Sequence, residues 1–256
     1  MPSYVETRIP VNGSDTAVRT AGEGEPLVFF HGGGVVEGAD CFLPLAERFR
    51  LVVPYHPGFG TSDSDPSIDG IDGWAARYVE VLDQLGVGEF VLIGHSLGGW
   101  LAARFVLAYP GRVRGLVLAS PFGLDAPDHP VANLGAVAPA DVYGLLTRDA
   151  SIWEGKVPTP LTEEFLADRM REGQSIGQVA VGPFDPTLAD RLHDLTTPTL
   201  LVWGDDDRIV PIEHAPPWEA ALPNVTSKTY AGRGHLLFWE DPQSVLDCGD
   251  FLAAES

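Results

Sequence analysis

Five short runs of apolar residues recur along the chain, and each ends at a loop rich in glycine or polar residues. Unbroken apolar runs of this length are typical of strands buried on both faces of a parallel sheet. Segments with helical spacing lie between them, and Trp74–Leu85 and Leu97–Tyr109 are the clearest. We therefore predict an α/β fold with a mostly parallel, twisted sheet flanked by helices. The five runs are Leu27–Phe30, Leu51–Val53, Phe90–Ile93, Leu116–Ala119 and Thr199–Trp203.

A β-hairpin and a helix are predicted at the two ends of the chain. Two segments of alternating polarity, Tyr4–Pro10 and Thr16–Thr20, are separated by the turn-forming pair Asn12 and Gly13. This arrangement predicts an N-terminal β-hairpin. The spacing of apolar residues over Gln243–Leu252 predicts a closing helix.

The alternation of strands and helices stops between about residues 122 and 195. Glu163–Arg171 is predicted to be a helix with Thr162 as its N-cap, and Asp185-Pro186 to begin a second helix. Aromatic residues such as Trp153 need burial, which favours an ordered segment over a disordered linker. We therefore divide the chain into a core, residues 1–121 and 196–256, and a helical insertion, residues 122–195.

Charge limits the partners that this chain is expected to bind. Its 256 residues include 36 acidic and 16 basic side chains, which give a formal net charge of −20. Nucleic acids and anionic membranes bind basic patches, so neither is an expected partner. No apolar run is long enough to span a membrane and no signal peptide is visible, so a cytoplasmic location is expected. The two cysteines, Cys41 and Cys248, do not form a disulfide framework.

A short motif links one predicted strand to the next helix. Residues 94–98 read Gly-His-Ser-Leu-Gly, directly after the run Phe90–Ile93 and before the helix that ends near Tyr109. In such a strand-turn-helix the serine is held in a strained turn that only small neighbours permit. Ser96 is therefore predicted to be a nucleophile. The N–H group of Leu97, at the helix N-terminus, is placed to stabilise a developing negative charge.

A serine nucleophile needs a base, and the base needs an acid to orient it. His235 is the predicted base because it follows the strand-like segment Thr226–Tyr230 in a glycine-rich loop. The candidate acids are the three aspartates that follow the apolar run ending at Trp203; Asp207 is the one that the family resemblance below selects, with Asp205 as second choice. We interpret the other six histidines as structural or exposed: His95 and His31 tether loops, and His56, His129, His193 and His214 have no catalytic context.

Taken in order, these motifs resemble the α/β-hydrolase family along nearly the whole chain. The resemblance implies a Ser96–Asp207–His235 triad and an oxyanion hole formed by Leu97 with Gly33 and the neighbouring Gly34. No metal or organic cofactor is expected. The motifs are His31–Gly34, Pro57–Ser62, Gly94–Gly99, Trp203–Pro211 and Gly234-His235.

The resemblance also identifies the insertion with the cap of the family, which shapes the substrate pocket. Trp100, Phe122, Trp153 and Phe238 are candidates for lining an apolar acyl or aromatic pocket, with core packing as the alternative for each. The expected partner is a small, uncharged or weakly polar substrate. An ester, a lactone or a thioester fits equally well, and a homodimer is compatible with the sequence.

Other activities occur on the same scaffold. Ser96 disfavours the dehalogenase and epoxide hydrolase branches, whose nucleophile is aspartate. The main alternative is hydrolysis of a carbon–carbon bond in a diketone-type substrate, but Leu236 replaces the aromatic residue that usually follows the histidine in those enzymes. Cofactor-free haloperoxidase or perhydrolase activity would use the same triad. A small-molecule receptor on this fold is the alternative that is not an enzyme.

Overall fold

The structure is a computed structural model that describes residues 2–180, 182 and 184–255. Within these residues, eight strands lie in one sheet. Each predicted apolar run falls within a strand. The strands are β1 (Val5–Val11), β2 (Ser14–Ala21), β3 (Glu25–Phe30), β4 (Phe49–Pro54), β5 (Phe90–His95), β6 (Val113–Ala119), β7 (Thr199–Gly204) and β8 (Val225–Tyr230).

The sheet order is β1-β2-β4-β3-β5-β6-β7-β8. From β4 to β8 every neighbouring pair is parallel, whereas β2 pairs antiparallel with both β1 and β4. The predicted fold class is confirmed. Because the parallel strands share one direction, the loops that follow β3, β5, β6, β7 and β8 meet at one edge of the sheet.

The N-terminal hairpin is confirmed together with its turn. Val11 pairs with Ser14 across a two-residue loop. Asn12 and Gly13 both have positive φ angles, 50° and 88°, as a type I′ turn requires.

Helices cover the sheet where the sequence predicts them. α1 packs on α2, α2 contacts β3, β5 and β6, and α7 contacts β6. No helix among the described residues is long and apolar enough to cross a membrane. The α-helices are α1 (Ile71–Gln84), α2 (Leu97–Ala108), α3 (Val142–Leu146), α4 (Glu163–Val179), α5 (Ala215–Ala221), α6 (Leu237–Glu240) and α7 (Pro242–Ala254), and 3₁₀ helices span Asp40–Glu47, Leu134–Ala136, Ala150–Trp153, Leu192–Asp194 and Ile212–His214.

The long connection from β6 to β7 contains α3, α4 and three of these 3₁₀ helices. Thr162 caps α4 as predicted, because its hydroxyl accepts the Phe165 N–H at 3.2 Å. The prediction that a helix begins at Asp185-Pro186 is wrong. The chain forms turns there, and the next helical segment is the 3₁₀ helix Leu192–Asp194. The Asp185 N–H donates to the carbonyl of Gly123, which fixes this strand-like segment against the start of the connection.

A buried ion pair fastens the hairpin to α1. Arg77 on α1 donates to Asp65 at 2.8 Å, and both side chains are less than one-tenth exposed. The same guanidinium donates to the Thr16 hydroxyl and to the carbonyl of Ser14 in the hairpin. One arginine therefore satisfies acceptors from two separate segments of the chain.

Replacing Asp65 with alanine is expected to lower the free energy of unfolding by about 3–5 kcal/mol, because it leaves the Arg77 charge buried without its partner. Urea denaturation measures the change. The matched control is Asp250→Ala, which removes the carboxylate of the exposed Arg48–Asp250 pair and should cost less than about 1 kcal/mol. Equal losses in the two variants would contradict this account of the hairpin.

Candidate active site

Close packing at the end of β5 produces a strained turn. Ser96 has φ 57° and ψ −120°, a conformation that residues other than glycine rarely adopt. A Cβ atom on Gly98 would overlap the backbone carbonyls of Phe30 and His31, and one on Gly94 would lie 2.5 Å from the Gly98 carbonyl oxygen. Small residues are therefore required on both sides of the serine. α2 starts immediately after this turn, at Leu97.

Three side chains from different loops form one hydrogen-bonded chain. The Ser96 Oγ lies 2.9 Å from His235 Nε2, and His235 Nδ1 lies 2.8 Å from Asp207 Oδ2. All three residues are more than nine-tenths buried. In this geometry the imidazole can accept the serine proton while the carboxylate holds the ring. The structure thus brings together the three residues that the sequence predicted as a triad.

Asp207 is the aspartate of its triplet that reaches the histidine. Its Oδ1 accepts the N–H groups of Ile209 and Val210 at 2.9 and 3.0 Å. Burial opposes ionisation, but His235, the Ile209 N–H and the Ser120 hydroxyl outweigh it and hold the pKa of Asp207 below its ordinary value. Asp205 is exposed and accepts the Gly232 N–H instead. Among the described residues, no three acidic, histidine or cysteine side chains are grouped as a metal would need.

The loop after β3 runs beside the serine. A Cβ atom on Gly32 would lie 3.2 Å from the Ser96 Cβ, so this backbone approaches the turn closely. Gly33 follows beneath α4, where the Ile176 side chain would be 3.4 Å from an added Cβ. Leu97 is the first residue of α2, and an N–H group at that position has no acceptor within its own helix. Gly32 and Leu97 therefore approach Ser96 from two sides, and the predicted donors Gly33 and Gly34 follow Gly32 in the same loop.

A chain of neutral side chains supports this loop. His31 Nδ1 donates to the Gly32 carbonyl, and His31 Nε2 accepts the His56 N–H at 2.9 Å. The His56 ring in turn donates to the His31 carbonyl and accepts from the Tyr78 hydroxyl. Burial lowers the pKa of His31 to about 3, so its ring is neutral and its hydrogen-bond pattern is fixed near pH 7.

His95 tethers a second loop. Its Nε2 donates to the carbonyl of His235 at 2.9 Å. Burial, followed by the nearby His235, lowers the pKa of His95 to about 3. The position of both rings agrees with the interpretation that His31 and His95 hold loops and do not transfer protons.

The four candidate pocket residues lie in different places. The Phe122 N–H donates to the Ser96 carbonyl, and Trp100 lines a cavity of about 300 Å³ together with Arg104 and Phe184. Trp153 packs within the insertion, where its Nε1 donates to the Tyr143 carbonyl. Phe238 is 1% exposed and packs in the core against Phe42. The structure thus brings Trp100 and Phe122 next to the serine turn, and it places the other two in packed clusters.

A buried charged cluster on α4 was missed by the sequence predictions. Arg169 Nη2 donates to Glu172 at 2.7 Å, whereas Arg169 Nε and Nη1 are buried without a hydrogen-bond acceptor. Burial raises the pKa of Glu172 to about 7, with Arg169 opposing the shift and Glu37 adding to it. The three-residue spacing of Arg169 and Glu172 places them on one helix face, which Ile176 continues. This spacing on one helix face was the sequence signal from which the cluster could have been predicted.

The chain belongs to the alpha/beta hydrolase family, whose family model matches residues 27–247. It is 28% identical over 243 residues to the 2-hydroxy-6-oxo-6-phenylhexa-2,4-dienoate hydrolase of Burkholderia cepacia, covering 86% of this chain and 84% of that protein. It is 29% identical over 258 residues to a 2-hydroxy-6-oxononadienedioate/2-hydroxy-6-oxononatrienedioate hydrolase of Paraburkholderia phymatum, covering 91% and 87%.

Solved structures agree with this family. A 2-hydroxy-6-oxo-6-phenylhexa-2,4-dienoate hydrolase from Rhodococcus sp. superposes with a TM-score of 0.80 at 19% identity, covering 100% of this chain and 99% of that one. The esterase RhEst1 from Rhodococcus sp. superposes with a TM-score of 0.70 at 25% identity, covering 99% and 100%. The family and the hydrolase names of the relatives confirm the prediction of a hydrolase enzyme.

Glu172 should make the stability of the protein depend on pH. The folded pKa lies above the ordinary value of 4.5, so the stabilisation is complete below pH 4.5 and is lost as pH rises through 7. Between pH 4.5 and pH 8, wild type should lose about 3 kcal/mol of unfolding free energy relative to Glu172→Gln. Urea denaturation across this range measures the difference. Glu164→Gln, on the exposed first turn of α4, should show no such difference, and parallel curves for wild type and Glu172→Gln would refute the assignment.

Proposed function

We propose that this chain is a serine hydrolase that cleaves a small carboxylic ester, lactone or thioester through an acyl-enzyme. The observation that carries the proposal is the buried hydrogen-bond chain from Ser96 through His235 to Asp207. A serine at a strained strand-to-helix turn, with an imidazole in reach, is the arrangement that nucleophilic acyl transfer needs.

In the proposed mechanism His235 Nε2 accepts the proton of Ser96 while the serine oxygen attacks the substrate carbonyl. The carbonyl oxygen becomes an oxyanion, which the N–H groups of Leu97 and Gly33 stabilise, with Gly34 close by. His235 then gives the proton to the departing alcohol or thiol. Water, deprotonated by the same imidazole, attacks the acyl-enzyme, and the acid leaves as Ser96 regains its proton. No step needs a metal or an organic cofactor.

The insertion, residues 122–195, is proposed to act as a cap over this site. Arg171 on α4 donates to the carbonyls of Gly58 and Gly60 at 2.8 and 2.9 Å, and Ile176 lies over Gly33. α4 thus packs on Gly33, one residue from the Gly32 backbone beside Ser96, and on the loop at Gly58 and Gly60. A helix in this position limits the size and shape of the acyl group that can reach Ser96.

Replacing Ser96 with alanine should lower the rate of p-nitrophenyl acetate hydrolysis at least about a thousandfold, because the nucleophile is lost. A fluorophosphonate probe should label Ser96 in wild type, as peptide mass spectrometry would detect. The control is Ser227→Ala on the exposed strand β8, which should retain full activity and labelling. Turnover that survives in Ser96→Ala would overturn the proposal. Absence of both labelling and turnover in wild type would favour the receptor alternative.

The second candidate is hydrolysis of a carbon–carbon bond in a diketone-type substrate. Its support comes from the names of the two bacterial relatives and from the unpartnered N–H groups of Arg169. Arg169 lies on the face of α4 that Ile176 continues, and the Ile176 side chain lies over Gly33, so the arginine belongs to the helix that packs on this loop. Two buried donors on a fixed cation suit a substrate with an anionic oxygen, which a simple neutral ester lacks.

One pair of substrates separates the two candidates. If the carbon–carbon candidate is correct, wild type cleaves 2-hydroxy-6-oxo-6-phenylhexa-2,4-dienoate, and Arg169→Met lowers kcat/KM for it about 10- to 100-fold by removing charged hydrogen bonds. The same variant should hydrolyse p-nitrophenyl acetate at close to the wild-type rate. Arg48→Met, at an exposed ion pair, is the matched control. No cleavage of the dienoate alongside rapid ester hydrolysis would reject the second candidate.

A further inference from the structure

A single carboxylate at the end of α6 binds two loops at once. Glu240 Oε2 accepts the Gly234 N–H at 2.7 Å. Its other oxygen, Oε1, accepts the Thr147 hydroxyl at 2.6 Å and the Arg148 N–H. Gly234 directly precedes His235, and residues 147 and 148 belong to the insertion. The triad mechanism proposed above makes no use of Glu240.

The carboxylate is itself held in place by packing. Phe238, two residues before it, is buried in the core, and the Trp239 Nε1 donates to the Gly38 carbonyl at 3.1 Å. A shift of α6 would therefore disturb the core, and the position of Glu240 at the end of this helix is fixed by the same packing. A carboxylate that accepts backbone N–H groups makes shorter and stronger hydrogen bonds than a neutral acceptor does.

Hydrogen bonds thereby restrain the histidine loop on both sides of His235. On the N-terminal side, Glu240 holds the N–H of Gly234, one peptide group earlier in the loop. On the C-terminal side, the carbonyl of His235 accepts from His95 Nε2. Because His95 directly precedes Ser96, its hydrogen bond to the His235 carbonyl connects the histidine loop to the nucleophile turn. The hydrogen bond from the Gly234 N–H to Glu240 connects the same loop to α6 and, through the other carboxylate oxygen, to the insertion.

We propose that Glu240 is a positioning residue for His235, and that it fixes the histidine loop and residues 147–148 of the insertion in one arrangement. The inference rests on the proposed function, because it assigns Glu240 a role in the reactivity of the Ser96–His235 pair. The carboxylate touches no reacting atom. It acts through the Gly234 N–H, which sets where the imidazole stands relative to the Ser96 Oγ.

Glu240→Gln tests the role of the carboxylate with little change in size. The amide of glutamine has one oxygen, so its NH₂ end must face a donor on at least one of the two loops. The expected result is a 10- to 100-fold fall in kcat for p-nitrophenyl acetate, because a shift of about 1 Å in a catalytic group has effects of this order. KM should stay within about twofold, since substrate binding is not altered. Fluorophosphonate labelling of Ser96 should slow in parallel.

Two further variants isolate the contact. Glu219→Gln removes an exposed carboxylate from α5 and should behave as wild type. Thr147→Val removes one insertion donor and leaves the Gly234 contact, so kcat should stay within about threefold of wild type. A Thr147→Val loss as large as that of Glu240→Gln would overturn the assignment to the histidine loop.

Wild-type labelling separates this inference from the proposed function. If wild type is not labelled at Ser96, the proposed function itself fails. If wild type is labelled and folded Glu240→Gln reacts at the same rate, only the inference on Glu240 fails. Where Glu240→Gln melts below the assay temperature, Glu240→Asp takes its place, because its shorter side chain keeps the charge but cannot reach both loops. Wild-type kcat in Glu240→Asp would equally overturn the inference.

Discussion

The close approach of α2 to the ends of β3 and β5 is the packing constraint on which the rest of the site depends. Glycine at 94 and 98 lets the helix start within contact distance of the Phe30 and His31 carbonyls. Between the strand and this helix the chain passes through a positive φ angle at Ser96. Such a conformation costs on the order of 1–3 kcal/mol and persists only where the surrounding structure enforces it. The same packing brings the Gly32 backbone and the N-terminus of α2 to the serine.

Main-chain hydrogen bonds to neutral rings keep these loops in place without adding charge. His31, His56 and His95 are buried, and burial lowers the pKa of each one. Their rings therefore act as fixed donors and acceptors near neutral pH. The charged groups of the site stand apart from them, at Asp207 on one side and on the inner face of α4 on the other. This separation leaves His235 as the ring that contacts both a carboxylate and a hydroxyl.

How much could be predicted from the sequence follows from the range of each interaction. The strands were predictable because apolar runs reflect local burial, and the order Ser96, Asp207, His235 was readable because each residue follows its own strand. The three-residue spacing of Arg169 and Glu172 was readable, but their burial was not, and neither was the role of Glu240, since both depend on contacts between segments far apart in the chain. Asp185-Pro186 misled for the same reason: the local signal resembles a helix start, but a bridge to Gly123 governs the backbone there. The pocket-lining role of Trp100, Phe122, Trp153 and Phe238 remains a prediction.

The way α4 is attached has a consequence for how readily it separates from the core. Its fully buried side chains are Glu172, Ser175 and Val179, so two of the three are polar. Arg171 holds the helix to the neighbouring loop through hydrogen bonds from a charged group. Separating α4 from the core would expose less apolar surface than separating α2, which has nine buried residues, none of them charged. Of the two helices, α4 is therefore the one expected to open more readily from the rest of the fold.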